Sequence, residues 1–268
     1  MQDDFRLDGK TVLVTGGARG IGAECARVMA DAGAAVMVTD VLSDVGRKTA
    51  GDIRERGGKA AYLDLDVTSD SAWQSCIDAT LSTFGGLDGL VNNAGLGIMD
   101  YLGDSSIEDF RRMMAVNGEG VFLGMKHAVE VMRPGGKAGR GGSIVNISSL
   151  AGIVGFPGIS AYGASKGAVR IMSKDVAVEC GKLGYGIRCN SVHPAVIETD
   201  MGDIFIEENA RLAGASIDEI RKVLKAMHPL GRFGSVRDIA NAVRFLCSDA
   251  SAWITGIELA VDGGFSAT

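Results

Sequence analysis

Proline, histidine, tryptophan and basic blocks are all scarce in this chain, and each shortage removes a class of function. Four prolines in 268 residues leave no proline-rich arm or stiff linker. The three histidines, His127, His193 and His228, lie far apart and none sits at metal-ligand spacing, so no metal site is expected. The cysteines, Cys25, Cys76, Cys180, Cys189 and Cys247, are odd in number and never form Cys-x-x-Cys. They read as reduced, buried thiols of a cytoplasmic protein and not as disulfides or metal ligands. No apolar run reaches the roughly 18 residues of a membrane helix. The start, Met1-Gln2-Asp3-Asp4-Phe5-Arg6, is polar and acidic where a signal peptide would be apolar. With a net charge of −6 and no cluster of Lys or Arg, neither nucleic acid nor an anionic membrane is an expected partner.

What the chain has is glycine: 39 residues, about twice the usual share of roughly 7%. Glycine without proline points to tight strand-to-helix turns and close backbone approach. Hydrophobic residues make up 46% of the chain, enough for one large core, and no composition break divides it, so a single domain over 1–268 is expected. Runs rich in Val, Ile and Leu at 11–15, 35–40, 60–64, 89–92, 143–148, 187–193 and 257–261 read as strands. Amphipathic segments at 20–33, 43–57, 69–84, 106–132, 161–182 and 235–248 read as helices, with Ser43, Ser69 and Ser235 as N-caps and Gly33 and Gly57 as stops. Strand and helix alternate, which implies an α/β fold: a doubly wound parallel sheet of seven strands with helices on both faces. The run 134–142 is a glycine-rich loop, and 194–230 is a long mixed segment of the kind that closes over a site.

Thr15-Gly16-Gly17-Ala18-Arg19-Gly20-Ile21-Gly22 follows the first strand and opens the first helix. Glycines there permit the sharp turn, let a pyrophosphate approach the backbone and let the helix pack on the sheet. Gly16, Arg19, Gly20, Ile21 and Gly22 are therefore expected at a dinucleotide. Asp40 closes the second strand, where a carboxylate accepts the adenosine ribose hydroxyls and repels a 2′-phosphate. NAD is favoured over NADP on that ground, and Arg19 is the one feature that argues the other way. Asp66 and Val67 follow the third strand and suit the adenine edge; Asn92-Asn93-Ala94-Gly95 follows the fourth and places Asn93, Ala94 and Gly95 beside the cofactor.

Tyr162 and Lys166 stand four residues apart, on one face of a helix. A free tyrosine ionises near pH 10; bringing it to neutrality takes about 4 kcal/mol in favour of the phenolate. An ammonium about 4 Å away supplies roughly that amount at an effective dielectric near 20. Burial opposes the gain, so a second positive charge is called for.

The glycine loop, Asn92-Asn93-Ala94-Gly95, Ser148-Ser149, Tyr162-x-x-x-Lys166, Asn190-Ser191-Val192-His193-Pro194 and Val261-Asp262-Gly263-Gly264 together resemble the short-chain dehydrogenase/reductase family, in order and spacing, over nearly the whole chain. The resemblance implies a Rossmann-type domain and hydride transfer between a nicotinamide and a carbon bearing an alcohol or carbonyl. It implies that Tyr162 is the general acid/base, that Lys166 lowers its pKa and binds the nicotinamide ribose, and that Ser149 holds the substrate oxygen. Ser148 points the other way by strand alternation. The resemblance further matches Asn117, in Val116-Asn117-Gly118, to a position that bends its helix and orders a proton-relaying water near Lys166. Pro194, Ile197 and Thr199 match residues that hold the carboxamide or phosphate. Ala195 departs from the family, which has glycine there, and so questions the local backbone angle. Members usually pair through the helices corresponding to 106–132 and 161–182 and through the C-terminal strand region, so the resemblance implies a homotetramer.

Around this centre the expected wall is apolar: Ile98, Met99, Val154, Phe156, Met201 and Phe205, with Leu96, Tyr101, Leu150, Ile153, Ile204, Ile206 and Leu212 near them. No arginine clamps those positions, which argues against a phosphate or carboxylate substrate. The expected substrate is a hydrophobic secondary alcohol or its ketone, alicyclic or steroid-like. Two alternatives stand beside it: an NADPH-dependent 3-oxoacyl thioester reductase of the same family, and a non-catalytic NAD-binding regulator.

Overall fold

Short, continuous runs of Val, Ile, Leu and Thr survive as strands here because both faces of the sheet are covered, which leaves no polar side for alternation. The computed structural model describes residues 3–267; Met1, Gln2 and Thr268, the ends of the expected 1–268 domain and of the acidic N-terminal stretch, lie outside the described residues. The strands are β1 (Thr11–Thr15), β2 (Ala35–Asp40), β3 (Lys59–Asp64), β4 (Gly89–Asn92), β5 (Gly142–Ile147), β6 (Ile187–Pro194) and β7 (Glu258–Val261). They form one parallel sheet in the order β3-β2-β1-β4-β5-β6-β7. The winding direction reverses between β1 and β4, and ligands of such sheets bind outside the carboxyl ends of the strands at that point. Gly16, Asp40, Asp66, Asn93, Ser149 and Pro194 all lie at or just beyond those ends.

The helices are α1 (Gly20–Asp31), α2 (Ser43–Glu55), α3 (Asp70–Phe84), α4 (Ile107–Met113), α5 (Gly120–Met132), α6 (Ser160–Lys182), α7 (Asp200–Ala213), α8 (Ile217–Ala226) and α9 (Val236–Cys247). One face of the sheet packs on α1, α2 and α9 through Cys25, Met29, Ile53, Ile239 and Val243. The other packs on α3, α5 and α6 through Trp73, Ile77, Met125 and Val169. All five cysteines are buried and free, and burial pushes their thiols up, Cys76 to about 12.

Ser69 and Ser235 cap α3 and α9 as expected, accepting from Ala72 and Asp238. Ser43 does not cap α2: the N-cap is Leu42, and the Ser43 hydroxyl donates instead to the Asp64 carboxylate across to β3. The single helix expected over 106–132 is three pieces, α4, a π-helical turn at Met114–Glu119, and α5. One residue too many is wound into that turn, and the distortion is where Asn117 sits. The mixed segment after β6 folds as α7 and α8 around a small core of Ile206, Leu224 and Phe233, against which Phe156, Val196, Phe205 and Ile220 pack. Among the described residues no helix is long and apolar enough to cross a membrane.

Candidate active site

The turn between β1 and α1 is built by backbone that side chains would obstruct. Gly16 and Gly20 hold φ of 61° and 57°, the left-handed region. A Cβ on Gly16 would lie 2.8 Å from the Ala94 Cα, and one on Gly22 would lie 2.1 Å from the Gly16 carbonyl oxygen. The turn is pinned from β4: Asn93 Nδ2 donates to the Thr15 and Gly16 carbonyls, each at 3.0 Å, and the Asn93 and Ala94 amides donate to the Thr15 hydroxyl, each at 3.0 Å. Asn93 thus spends its side chain on the loop. Gly22→Ala should destabilise the fold by about 1–3 kcal/mol, since a fixed carbonyl blocks the methyl group. It should weaken NADH binding more than tenfold as well; thermal unfolding and NADH fluorescence titration read the two, and unchanged values in both would contradict this account of the turn.

The residues present fit a dinucleotide. The N-cap of α1 is Arg19, which makes no side-chain capping bond, and the first turn carries no acidic residue, so the leading amides are left for an anion. Helices α3, α7, α8 and α9 have Ser69, Thr199, Ser216 and Ser235 in that role. The Asp40 carboxylate is fixed by the Ala18 and Leu42 amides, both at 3.0 Å, and is half-buried beside the loop. Asp66 is exposed and tied to Thr68, while the Val67 side chain is buried against Gly120, which leaves only main chain of Val67 to face a ligand. Thr199, capping α7, stands over Gly20, whose Cβ position is 3.7 Å from the Thr199 methyl. Ile197 is buried and bridges to Gly234. Pro194 ends β6, and Ala195 needs no special angle: among the described residues no residue but glycine has a positive φ.

Arg19 turns away from Asp40 to Asp200, at the start of α7, with 2.7 Å between Nη1 and Oδ2. The one cation expected to invite a 2′-phosphate is therefore already paired.

Beyond the switch point, α6 delivers Tyr162 and Lys166 toward Ser149, which follows β5. Lys166 is 4% exposed and donates from Nζ to the Ile147 carbonyl at 2.9 Å, with Nζ 5.8 Å from the Tyr162 ring centroid. Burial pulls this ammonium down to about 8. Tyr162 is half-buried, and burial drives its phenol above the ordinary tyrosine value, with the Ser149 hydroxyl bond pulling the other way. Burial thus pushes the phenol the opposite way from the acidification expected from the sequence, while the Lys166 ammonium is bonded to the Ile147 carbonyl. Ser148 is buried and donates to the Lys166 carbonyl at 2.9 Å, so it buttresses α6 and does not face the site. Asn117 bridges the Leu96 main chain, accepting at 2.9 Å and donating at 2.8 Å, and donates to Ser165 at 3.0 Å. A Cβ on Gly95 would meet Asn117 Oδ1 at 3.2 Å and Lys166 Nζ at 3.4 Å, so these three crowd together.

Of the expected wall, Phe156 and Phe205 meet with ring centroids 5.7 Å apart, and Met99 is buried beneath Gly158 and Asn209. Ile98 lines a small hollow with Gly158 and Ala161. Val154 is half-buried, but Met201, at 44% exposure, lies outside the apolar cluster. Arg211 stands at this wall unannounced by the sequence, donating to the Met99 carbonyl at 3.1 Å and pairing with Asp100 and Glu208. Its charge is compensated, so it offers no clamp for a phosphate. Sequence reasoning also passed over Asp200 and Thr15, which carry no local signal, and the role of His193. A histidine inside the buried run Ser191-Val192-His193 was itself a signal, since such a group needs partners.

Fold and glycine turn together define a Rossmann-type protein built to hold a dinucleotide. A family model described as enoyl-(acyl carrier protein) reductase matches residues 16–266. Cyclopentanol dehydrogenase of Comamonas sp. (strain NCIMB 9872) is 40% identical over 265 residues, 98% of this chain and 99% of that protein. The NADP-dependent (R)-specific alcohol dehydrogenase of Lentilactobacillus kefiri is 39% identical over 264 residues, 98% of each. A crystal structure of a short-chain type dehydrogenase/reductase from Mycobacterium marinum superposes with a TM-score of 0.89 at 33% identity, covering 99% of each chain. The chain belongs to the short-chain dehydrogenase/reductase family, whose members are nicotinamide-dependent oxidoreductases.

Proposed function

We propose that this protein interconverts a hydrophobic secondary alcohol, alicyclic or steroid-like, and its ketone, with NAD as the hydride carrier. The observation that carries the reading is that Lys166 and Ser149 both lie by Tyr162, with Gly95 and Gly97 of the segment after β4 against Lys166 and Tyr162. The likeness to a cyclopentanol dehydrogenase supports an alicyclic substrate. NAD, when bound, supplies the hydride acceptor for oxidation and the donor for reduction.

The chain's own residues do the rest. Ser149 donates to the substrate oxygen and fixes it next to the Tyr162 hydroxyl. In oxidation Tyr162 Oη takes the hydroxyl proton while the carbinol carbon loses hydride; in reduction the phenol returns that proton to the carbonyl oxygen. Lys166 favours the phenolate and is placed to bind the nicotinamide ribose, and Asn117 keeps the neighbouring backbone in register for a water to Lys166. Gly16, Gly20, Ile21, Gly22, Ala94, Gly95, Pro194, Ile197 and Thr199 are assigned to the nicotinamide and phosphates. Asp40 takes the adenosine ribose, and Asp66 with Val67 the adenine. Ile98, Met99, Val154, Phe156 and Phe205 would exclude water around the substrate; segment 194–230 acts as the lid, and Met201 reaches the substrate only with movement of α7. Phe122 on α5 and Ile171 and Val178 on α6 are exposed apolar residues that would be covered in a homotetramer.

A second reading, NADPH as carrier, is favoured by the likeness to an NADP-dependent relative. Initial rates with NADH and NADPH on one ketone separate them: Asp40 and the pairing of Arg19 with Asp200 predict the faster rate with NADH. The substrate reading is tested with a panel of secondary alcohols and NAD at alkaline pH, following absorbance of NADH. Equal or better turnover of a sugar phosphate would sink it.

A further inference from the structure

We propose that His193 is a positioning residue of this site: from the buried end of β6 its imidazole holds the Ser149 main chain, and so sets where the Ser149 hydroxyl meets Tyr162. The inference rests on the roles given above to Ser149 and Tyr162.

The ladder between β5 and β6 runs out just before the serine. Its last rung is the Ser148 amide to the Val192 carbonyl at 2.9 Å. One residue further, Ser149 leaves the strand to cap a 3₁₀ turn at Leu150–Gly152, its hydroxyl accepting from the Ala151 amide at 3.1 Å. Main chain of β6 no longer reaches it there. The His193 ring takes over, with Nδ1 2.9 Å from the Ser149 carbonyl oxygen, which the Gly152 amide also contacts at 3.0 Å.

Chemistry decides the tautomer. A carbonyl only accepts, so Nδ1 carries the hydrogen; the other nitrogen, 2.8 Å from the Ser191 hydroxyl, then accepts. His193 is fully buried, and burial holds it below its usual pKa, hence neutral. The charged groups around it divide: the Glu258 carboxylate on β7 favours protonation though it is engaged by Arg170 and Lys174, Lys166 and Arg170 on α6 oppose it, and burial outweighs them all. A neutral, doubly bonded imidazole is a fixed strut. It touches neither the substrate nor the reacting atoms and acts through Ser149 alone.

Three variants test this on the full-length protein, with the secondary alcohol that wild type oxidises best. His193→Leu keeps bulk and loses the donor; kcat/KM should fall roughly 10-fold to 100-fold, the scale of a slightly misplaced group. Its acid limb should also move to higher pH, because the Ser149 hydroxyl is the neighbour that partly offsets the rise burial gives the phenol. His193→Asn places an amide N–H where Nδ1 stood and should restore both rate and limb. Should the leucine variant fail to fold, His193→Gln, whose amide reaches only the other nitrogen's place, substitutes with the same expectation. A wild-type rate and limb in the donor-less variant, or equal losses in His193→Leu and His193→Asn, would overturn the proposal. Tyr162→Phe is run alongside: if it stays active, the reading of the site fails and not merely the role of His193.

Discussion

Tyr162→Phe lowers kcat for alcohol oxidation by about 10³-fold, within the usual reach of a general acid/base, while affinity for NADH and the melting temperature stay near wild type. The change deletes one oxygen and keeps the ring, so packing around α6 is preserved. What disappears is the proton acceptor, because the neighbouring Ser149 is an un-ionised hydroxyl and Lys166 Nζ is spent donating to the Ile147 carbonyl. Wild-type oxidation should rise with pH, since the active form of the base is the phenolate and burial holds the phenol above its ordinary value. Steady-state rates with NAD across pH, with NADH binding by fluorescence, make the measurement. A phenylalanine variant that keeps a tenth or more of the activity would leave the chemistry without its base.

Lys166→Met should abolish turnover and yet stabilise the protein. The ammonium is almost wholly buried and its pKa falls from 10.5 to about 8. Each pKa unit is worth about 1.4 kcal/mol, so keeping the charge folded costs about 3 kcal/mol at neutral pH. The sign follows from proton counting. Between about 8 and 10.5 the unfolded chain binds more protons than the folded one, so this group's contribution to stability rises with pH through that window and is most unfavourable below it. Methionine fills similar volume without charge and leaves the Ile147 carbonyl one bond short, a loss of about 1 kcal/mol. A net gain of about 2 kcal/mol corresponds to a melting temperature about 5 °C higher at pH 7, with a smaller difference near pH 10. A variant less stable than wild type at neutral pH would show that the lysine is held for structure. A variant that is more stable and inactive would show a site strained for its chemistry.

Much of this molecule was legible because the relevant chemistry lies within a few residues. Strand and helix periods, serine caps at Ser69 and Ser235, and glycines at positive φ are properties of short segments, and they located the sheet and the dinucleotide turn nearly to the residue. Where local rules competed, the reading slipped. Ser43 had an acceptor in Asp64 on β3, which outbid its own helix, and the π turn at Asn117 does not alter the apolar periodicity enough to be seen.

The amino-acid order alone determined the alternation of strand and helix, the glycine turn between β1 and α1, and the presence of serine, tyrosine and lysine in the right sequence. Tertiary structure decided which charges neutralise each other and which groups are dry: Arg19 with Asp200, Arg211 with the Met99 carbonyl, His193 with Ser149, and a phenol raised instead of lowered. Those outcomes depend on partners brought together by strand register and helix crossover, and on the desolvation that follows. A linear pattern carries the identity of such groups but not the distance and dielectric that set how strongly they act.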